Sequence, residues 1–306
     1  MRFLKLILII GLLLVSAAGA YYVFFLPDVS LLKTHYPLVE YDAKTKKSNI
    51  TVVSSKPKGW ATTKEVSKWV IGAIIVSEDW AFYQHEGYDA KQLKLAIQES
   101  IEKGHLGRGA STITQQVIKN IYFNNDRSVL RKALELILAT QIESVVGKNR
   151  ILEFYLNIAE MGPGIYGIRA AANYYFSKAP SSLNAQEGAF LAMLLPSPLR
   201  YSQSFRQKKL SRFARRTVDS ILDKMVMAGY LTAEERESLR GASLAFEQMP
   251  EPEISTPEET ETADPEQQDS AHEIKQEPPL NPDVSEPEAP NTTESEASEP
   301  DDLSAD

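Results

Sequence analysis

The sequence predicts one mostly α-helical domain between an apolar N-terminal segment and an acidic tail, and three observations carry that expectation. From Val66 onward, apolar residues recur at helical spacing in segment after segment. Start and stop signals bracket these segments: Asn184 with Glu187 and Thr232 with Glu235 are capping-box pairs, and Gly104, Gly162-Pro163-Gly164, Pro196 and Pro198 are terminators. Against them stands a single short strand candidate, residues 50–53.

Taken in order, residues 6–26 form a run of 21 without a charge, preceded by Arg2 and Lys5. At about 1.5 Å per residue a helix of that length crosses roughly one bilayer core of ~30 Å. The basic residues on its short side predict that residues 1–27 are a cytoplasmic N-terminus and transmembrane anchor, with the rest of the chain outside the cytoplasm. Ala18-Gly19-Ala20 offers the alternative of a cleaved signal peptide, against which the apolar run continues through Phe25 and Leu26. Residues 28–63 read as a connector. Residues 66–77 are almost wholly apolar apart from Lys68, the mark of a buried helix, and amphipathic or apolar helices follow over 91–103, 112–123, 128–145, 150–161 and 169–176. Residues 64–246 are long enough to build one core.

Residues 247–306 hold 20 of the 41 acidic residues and, of the 33 basic ones, only Lys275. Rich in Pro, Glu, Ser and Thr, this stretch is predicted to be a disordered tail, because it carries too little apolar surface to offset its chain entropy. The remaining chain is therefore basic, which suits an anionic substrate or a phospholipid surface. The absence of cysteine excludes disulfides and thiolate metal sites.

Within the predicted helix over 112–123, Thr112, Gln115, Gln116 and Lys119 fall at i, i+3, i+4 and i+7, beside an apolar stripe of Ile113, Val117 and Ile121. A polar stripe charged only at Lys119 offers amide and hydroxyl groups to a polyoxygenated ligand. Glu78 closes the apolar helix before it, where the helix dipole and desolvation both raise a carboxyl pKa, a property that suits a general base near neutral pH. Arg127, Arg131 and Glu135 follow at i, i+4 and i+8. As isolated residues they read as a salt-bridged solvent face, but Glu135 is flanked by Ala133, Leu134, Leu136, Ile137 and Leu138, company in which a carboxylate needs a partner.

Four motifs in one order, Glu78-Asp79-x-x-Phe82-x-x-His85-x-Gly87, Gly109-x-Ser111-Thr112-Ile113-Thr114-Gln115-Gln116-x-x-Lys119-Asn120, Arg131-Lys132-x-x-Glu135 and Lys148-x-x-Ile151-Leu152-Glu153-x-Tyr155-Leu156-Asn157, resemble the peptidoglycan glycosyltransferase family, the transglycosylase part of class A penicillin-binding proteins. With Asn157-Ile158-Ala159-Glu160-Met161-Gly162-Pro163-Gly164-Ile165-Tyr166-Gly167 the resemblance is to its monofunctional biosynthetic branch. It implies a lysozyme-like fold that polymerises lipid II into glycan strands and releases undecaprenyl pyrophosphate, from the outer side of a bacterial inner membrane. It further implies that Glu78 is the base, that Glu135 is the second essential carboxylate, and that Ser111, Gln115, Gln116, Lys119, Arg127 and Arg131 bind the substrate. Mg or Mn is then compatible as a pyrophosphate counter-ion without being obligatory, since no cluster of His and carboxylates forms a dedicated cage. Partners implied are lipid II, the growing strand, membrane lipids and other cell-wall synthesis proteins, and no nucleic acid. One departure is Ser177, where the family often has Gly after the Tyr-Phe pair. The rival readings are a glycan-cleaving lysozyme-like enzyme and a non-catalytic cell-wall scaffold; the cations Lys119, Arg127 and Arg131 favour a pyrophosphate leaving group over a plain glycosidic bond.

Overall fold

The computed structural model describes residues 9–11, 16, 26–103, 111–123 and 128–248, all within the first of two compact units, Met1–Pro252. The anchor expected over 6–26, the tail over 247–306 and Arg127 therefore lie wholly or mostly outside the described residues. Among the described residues no helix is long and apolar enough to cross a membrane.

The body is mostly helical, as the spacing predicts. Its helices are α1 (Lys68–Glu78), α2 (Ala90–Lys103), α3 (Ile113–Tyr122), α4 (Val129–Val146), α5 (Lys148–Ile158), α6 (Ile168–Phe176), α7 (Ala185–Leu194), the short α8 (Pro198–Tyr201) and α9 (Gln203–Arg206), α10 (Arg212–Met227) and α11 (Ala233–Ser238). Side chains cap their starts: Ser67, Thr112, Ser128, Asn184, Ser211 and Thr232 each accept a backbone N–H of the first turn. Both capping boxes read from the sequence are present.

Every residue of α7 is buried, and α1 and α10 pack against it. The α1–α7 approach is close because Gly188 has no side chain: a Cβ there would sit 3.0 Å from the Val70 backbone. Glu187, buried in α7, is satisfied by Lys178 Nζ at 2.7 Å and the Asn184 N–H at 2.9 Å. Beyond α7, Tyr175, Phe176, Phe190, Phe205 and Phe246 form an aromatic cluster with ring centroids 4.9–6.3 Å apart.

The connector contains more than the one short strand expected. Strand β1 (Tyr36–Asp42) pairs antiparallel with β2 (Lys47–Val53), Tyr36 opposite Val53 and Asp42 opposite Lys47. Arg150 clamps the hairpin to α5: its guanidinium lies 4.3 Å from the Tyr36 ring centroid and 4.7 Å from that of Phe154, and it donates to the His35 carbonyl at 3.1 Å. Asn157 ties down the following loop, accepting from Ala61 N–H at 2.8 Å and donating to Ala61 O at 2.7 Å. A second, smaller pair, β3 (Glu160–Gly162) with β4 (Ile165–Tyr166), turns the chain from α5 into α6.

Helix α6 ends on Ser177, which sits in the left-handed region at φ 53°, ψ 36°. The Lys178 N–H returns to the Ala172 carbonyl at 3.3 Å, so the cap geometry is that of a glycine-type helix end. A Cβ in this conformation costs about 1 kcal/mol. Ser177→Gly should accordingly raise stability by about 0.5–1 kcal/mol, read as a higher denaturation midpoint at unchanged m; a midpoint at or below that of the parent would contradict the strain.

Candidate active site

Glu78 is the last residue of α1, and the chain turns sharply after it because Asp79 leaves helical geometry at φ −158°, ψ 76°. The Asp79 side chain is buried and occupied on both oxygens. His85 Nε2 lies 2.9 Å from Oδ1 and 3.1 Å from Oδ2, and the Ile113 N–H, the first of α3, donates to Oδ2 at 2.9 Å. A carboxylate on the positive end of α3 is electrostatically favourable, and here it also fixes where α3 begins. Thr112 adds a second tie, donating to the Gly87 carbonyl at 2.7 Å. Gly87 is required there: at φ 88° a Cβ would meet the Ala139 backbone at 2.6 Å.

With α3 fixed, Gln116 reaches Glu78, its Nε2 donating to Oε2 at 2.8 Å. Tyr155, from α5 and fully buried, places its hydroxyl 3.3 Å from Gln116 Oε1 and 3.5 Å from Glu78 Oε2. Burial raises the Glu78 pKa above the usual carboxylate range, and the neighbouring Asp79 charge adds to the rise; Gln116, Tyr155 and Lys119 pull the other way without cancelling it. Burial and the adjacent Glu78 push the Tyr155 phenol well up, so it is a permanent donor.

Glu135 stands on α4 as a second, 2% exposed carboxylate. Arg131 Nη1 donates to its Oε1 at 2.6 Å and Lys132 Nζ to its Oε2 at 3.1 Å. The same ammonium donates to Ser111 Oγ and Gln115 Oε1, both at 2.9 Å, so its three protons are all engaged. Lys119 makes no ion pair with a described residue. Burial lowers its pKa, with Glu135 opposing that and Arg131 and Lys132 adding to it.

Of the sequence-predicted residues, Glu78 and Gln116 are joined directly, and Ser111, Gln115, Arg131 and Glu135 are gathered around Lys132; Lys119 lies within electrostatic reach of both groups. Arg127 is outside the described residues. Two residues were missed as site members. Lys132 stood in the Arg131-Lys132-x-x-Glu135 motif at i, i+3 to Glu135, a spacing that could have flagged it. Tyr155 shares core spacing with Ile151, Leu152 and Leu156 in the fourth motif, so the sequence reads it as core, which it also is. A cavity of about 710 Å³ between the hairpin, Trp60, Arg169 and Asn173 contains none of these residues, so cavity size is no guide to the chemistry.

Among the described residues no group of three or more His, Cys, Asp or Glu could hold a metal. Both Glu135 oxygens are already paired with cations, so among the described residues this carboxylate is not part of a metal-holding cluster.

The transglycosylase family profile matches residues 46–226. The chain is 37% identical over 190 residues to the biosynthetic peptidoglycan transglycosylase of Brucella suis biovar 1 (strain 1330), covering 62% of this chain and 84% of that one. It is 46% identical over 142 residues to the protein of the same name from Salmonella agona (strain SL483), covering 46% and 59% respectively. Penicillin-binding protein 1F of Bacillus subtilis (strain 168) matches at 41% over 182 residues, 60% of this chain but 25% of that larger one. The chain belongs to the transglycosylase family.

Because the Glu78 pKa is raised, the folded state holds its proton more tightly than the unfolded state. Its contribution is favourable at low pH and is lost as pH rises from the ordinary carboxylate range through the raised value. Glu78→Gln removes that dependence. Thermal unfolding should show the variant more stable than the parent at pH 7–8, with the advantage shrinking as pH falls through the carboxylate range; a constant or absent difference would refute a desolvated carboxylate.

Proposed function

We propose that the chain polymerises lipid II, with Glu78 as the general base, and one observation carries this most directly. A carboxylate with a raised pKa at the end of α1, held by Gln116 of α3, lies within electrostatic reach of Lys119 on α3, which in turn lies within reach of Arg131 and Lys132 on α4. Glu78 takes the proton of the acceptor sugar's 4-hydroxyl as that oxygen bonds to C1 of the donor sugar. The bond from C1 to the pyrophosphate oxygen breaks, and the electron pair leaves on undecaprenyl pyrophosphate. The leaving group gains negative charge, which Lys119 meets as the one cleft cation free of an ion pair among the described residues. Arg131 and Lys132, pinned by Glu135, hold Ser111 and Gln115 where hydroxyl and amide can meet sugar or phosphate oxygens. Arg127 belongs to the donor side by its place in the motif. Lysozyme-like architecture and release of product toward the outer face of the membrane fit this reading.

The cleft also borders exposed apolar surface. Val129 and Leu130, at the start of α4, are 85% and 66% exposed, one or two residues before Arg131. That combination suits a domain resting on a bilayer from which its substrate is drawn, beside the anchor read at residues 6–26.

Lipid II polymerisation tests the assignment. Glu78→Gln keeps size and removes the basic lone pair, so turnover should fall by roughly a hundredfold or more while binding of a non-reactive donor analogue changes little. Lys119→Met should instead weaken donor-analogue binding about 10–100-fold, the loss of a charge-assisted contact. Near-normal turnover by folded Glu78→Gln would sink the assignment. Separately, Val129→Glu with Leu130→Glu should lower turnover severalfold on vesicle-borne lipid II and much less on detergent-dispersed lipid II; equal effects in both would place that surface away from the bilayer.

A further inference from the structure

We infer that the Tyr155 hydroxyl is a positioning group that, with Gln116, commits one oxygen of Glu78 to hydrogen bonding and leaves the other, Oε1, as the atom that accepts the proton. The inference deepens the reading of Glu78 as base and rests on it.

Three facts lead there. The Tyr155 side chain is 1% exposed, so its hydroxyl must find a partner inside the protein, and its partners are Glu78 Oε2 and Gln116 Oε1. The Gln116 amide already gives an N–H to Glu78 Oε2 at 2.8 Å, which turns its carbonyl oxygen toward Tyr155. The phenol keeps its single proton and shares it between the Gln116 carbonyl at 3.3 Å and Glu78 Oε2 at 3.5 Å, which favours this amide orientation; flipped, the amide would set its carbonyl against the Glu78 carboxylate. The Gln116 N–H and, through its shared proton, the Tyr155 hydroxyl both reach Oε2, and no described residue donates to Oε1. A carboxylate held at one oxygen keeps its orientation and leaves the lone pairs of its other oxygen open.

Tyr155 comes from α5, whereas Glu78 and Gln116 come from α1 and α3, so the hydroxyl ties three helices together at the Glu78 carboxylate. The other charged groups acting on Glu78 are Asp79 beside it in sequence and Lys119 from α3. Neither is altered by removing a buried hydroxyl, so a change in the titration of Glu78 can be traced to Tyr155.

The test is the pH dependence of lipid II polymerisation by the full-length protein. Tyr155→Phe removes only the hydroxyl. Losing a donor to the carboxylate should move the acidic limb of kcat/KM to higher pH, lower kcat about tenfold on the plateau, and leave KM within about twofold. Incorporation of 3-fluorotyrosine at position 155 keeps the shape and strengthens the donor, so the limb should move to lower pH; this arm also serves if the Phe variant folds poorly. A folded Tyr155→Phe protein with a parental acidic limb and kcat, or a limb unmoved by fluorination, overturns the inference and leaves Tyr155 as packing. Failure of the base reading is a different result, namely turnover that survives Glu78→Gln.

Discussion

The Asp79 carboxylate is the constraint on which the site depends. It ends α1, receives the first N–H of α3 and holds His85, so one buried side chain fixes the angle between the helix that carries Glu78 and the helix that carries Gln115, Gln116 and Lys119. A second line of contacts braces the same junction. Lys148 Nζ lies 4.5 Å from the Phe82 ring centroid and 3.5 Å from His85 Nδ1, and donates to Glu143 at 2.6 Å; Glu143 accepts from Thr114 of α3 at 2.6 Å. The first, second and fourth motifs are thus one connected polar structure in a mostly apolar core. Loss of Lys148 would leave the buried Glu143 charge without its cation, which costs more than the net gain from forming the pair.

Charge is distributed unevenly over the cleft, and the unevenness has chemical meaning. At Glu135 everything is compensated: two cations bind its two oxygens, and the ammonium of Lys132 spends its remaining protons on Ser111 and Gln115. At Glu78 and Lys119 it is not, and burial shifts both pKa values toward the neutral form. Groups that ionise at a desolvation cost lower stability when empty and regain it when a substrate proton or phosphate arrives, which is the usual relation between active-site strain and function.

Much of this was legible in the sequence, for reasons that differ by element. The caps at Asn184 and Thr232 depend on residues three apart, so local spacing reveals them, and Glu78 at a helix end follows from where the apolar run stops. The hairpin was half seen: residues 50–53 have strand composition, but Tyr36–Asp42 becomes a strand only by pairing with it and by the clamp of Arg150, 114 residues beyond Tyr36 and invisible to local pattern. Tyr155 looked like core because its ring is core; only the tertiary fold shows where its hydroxyl ends. Lys132 stands beside Arg131 in the sequence, and what directs it at Glu135, Ser111 and Gln115 is α3 in place beside α4, which local pattern does not show.

The same geometry separates this site from a glycan hydrolase with two working carboxylates. Such an enzyme needs a second acid that can act as nucleophile or activate water, in addition to the acid that protonates the leaving oxygen. While Arg131 holds one Glu135 oxygen and Lys132 the other, its charge is neutralised, which weakens it as a nucleophile or as a base. A plain glycosidic bond also releases a sugar hydroxyl, which needs a proton donor and gains nothing from a neighbouring ammonium. A pyrophosphate leaves as an anion and needs no proton. A site with one carboxylate biased toward proton uptake, one held in salt bridges, and a Lys119 that has no ion pair among the described residues therefore has a charge pattern that suits transfer from a phosphate-activated donor.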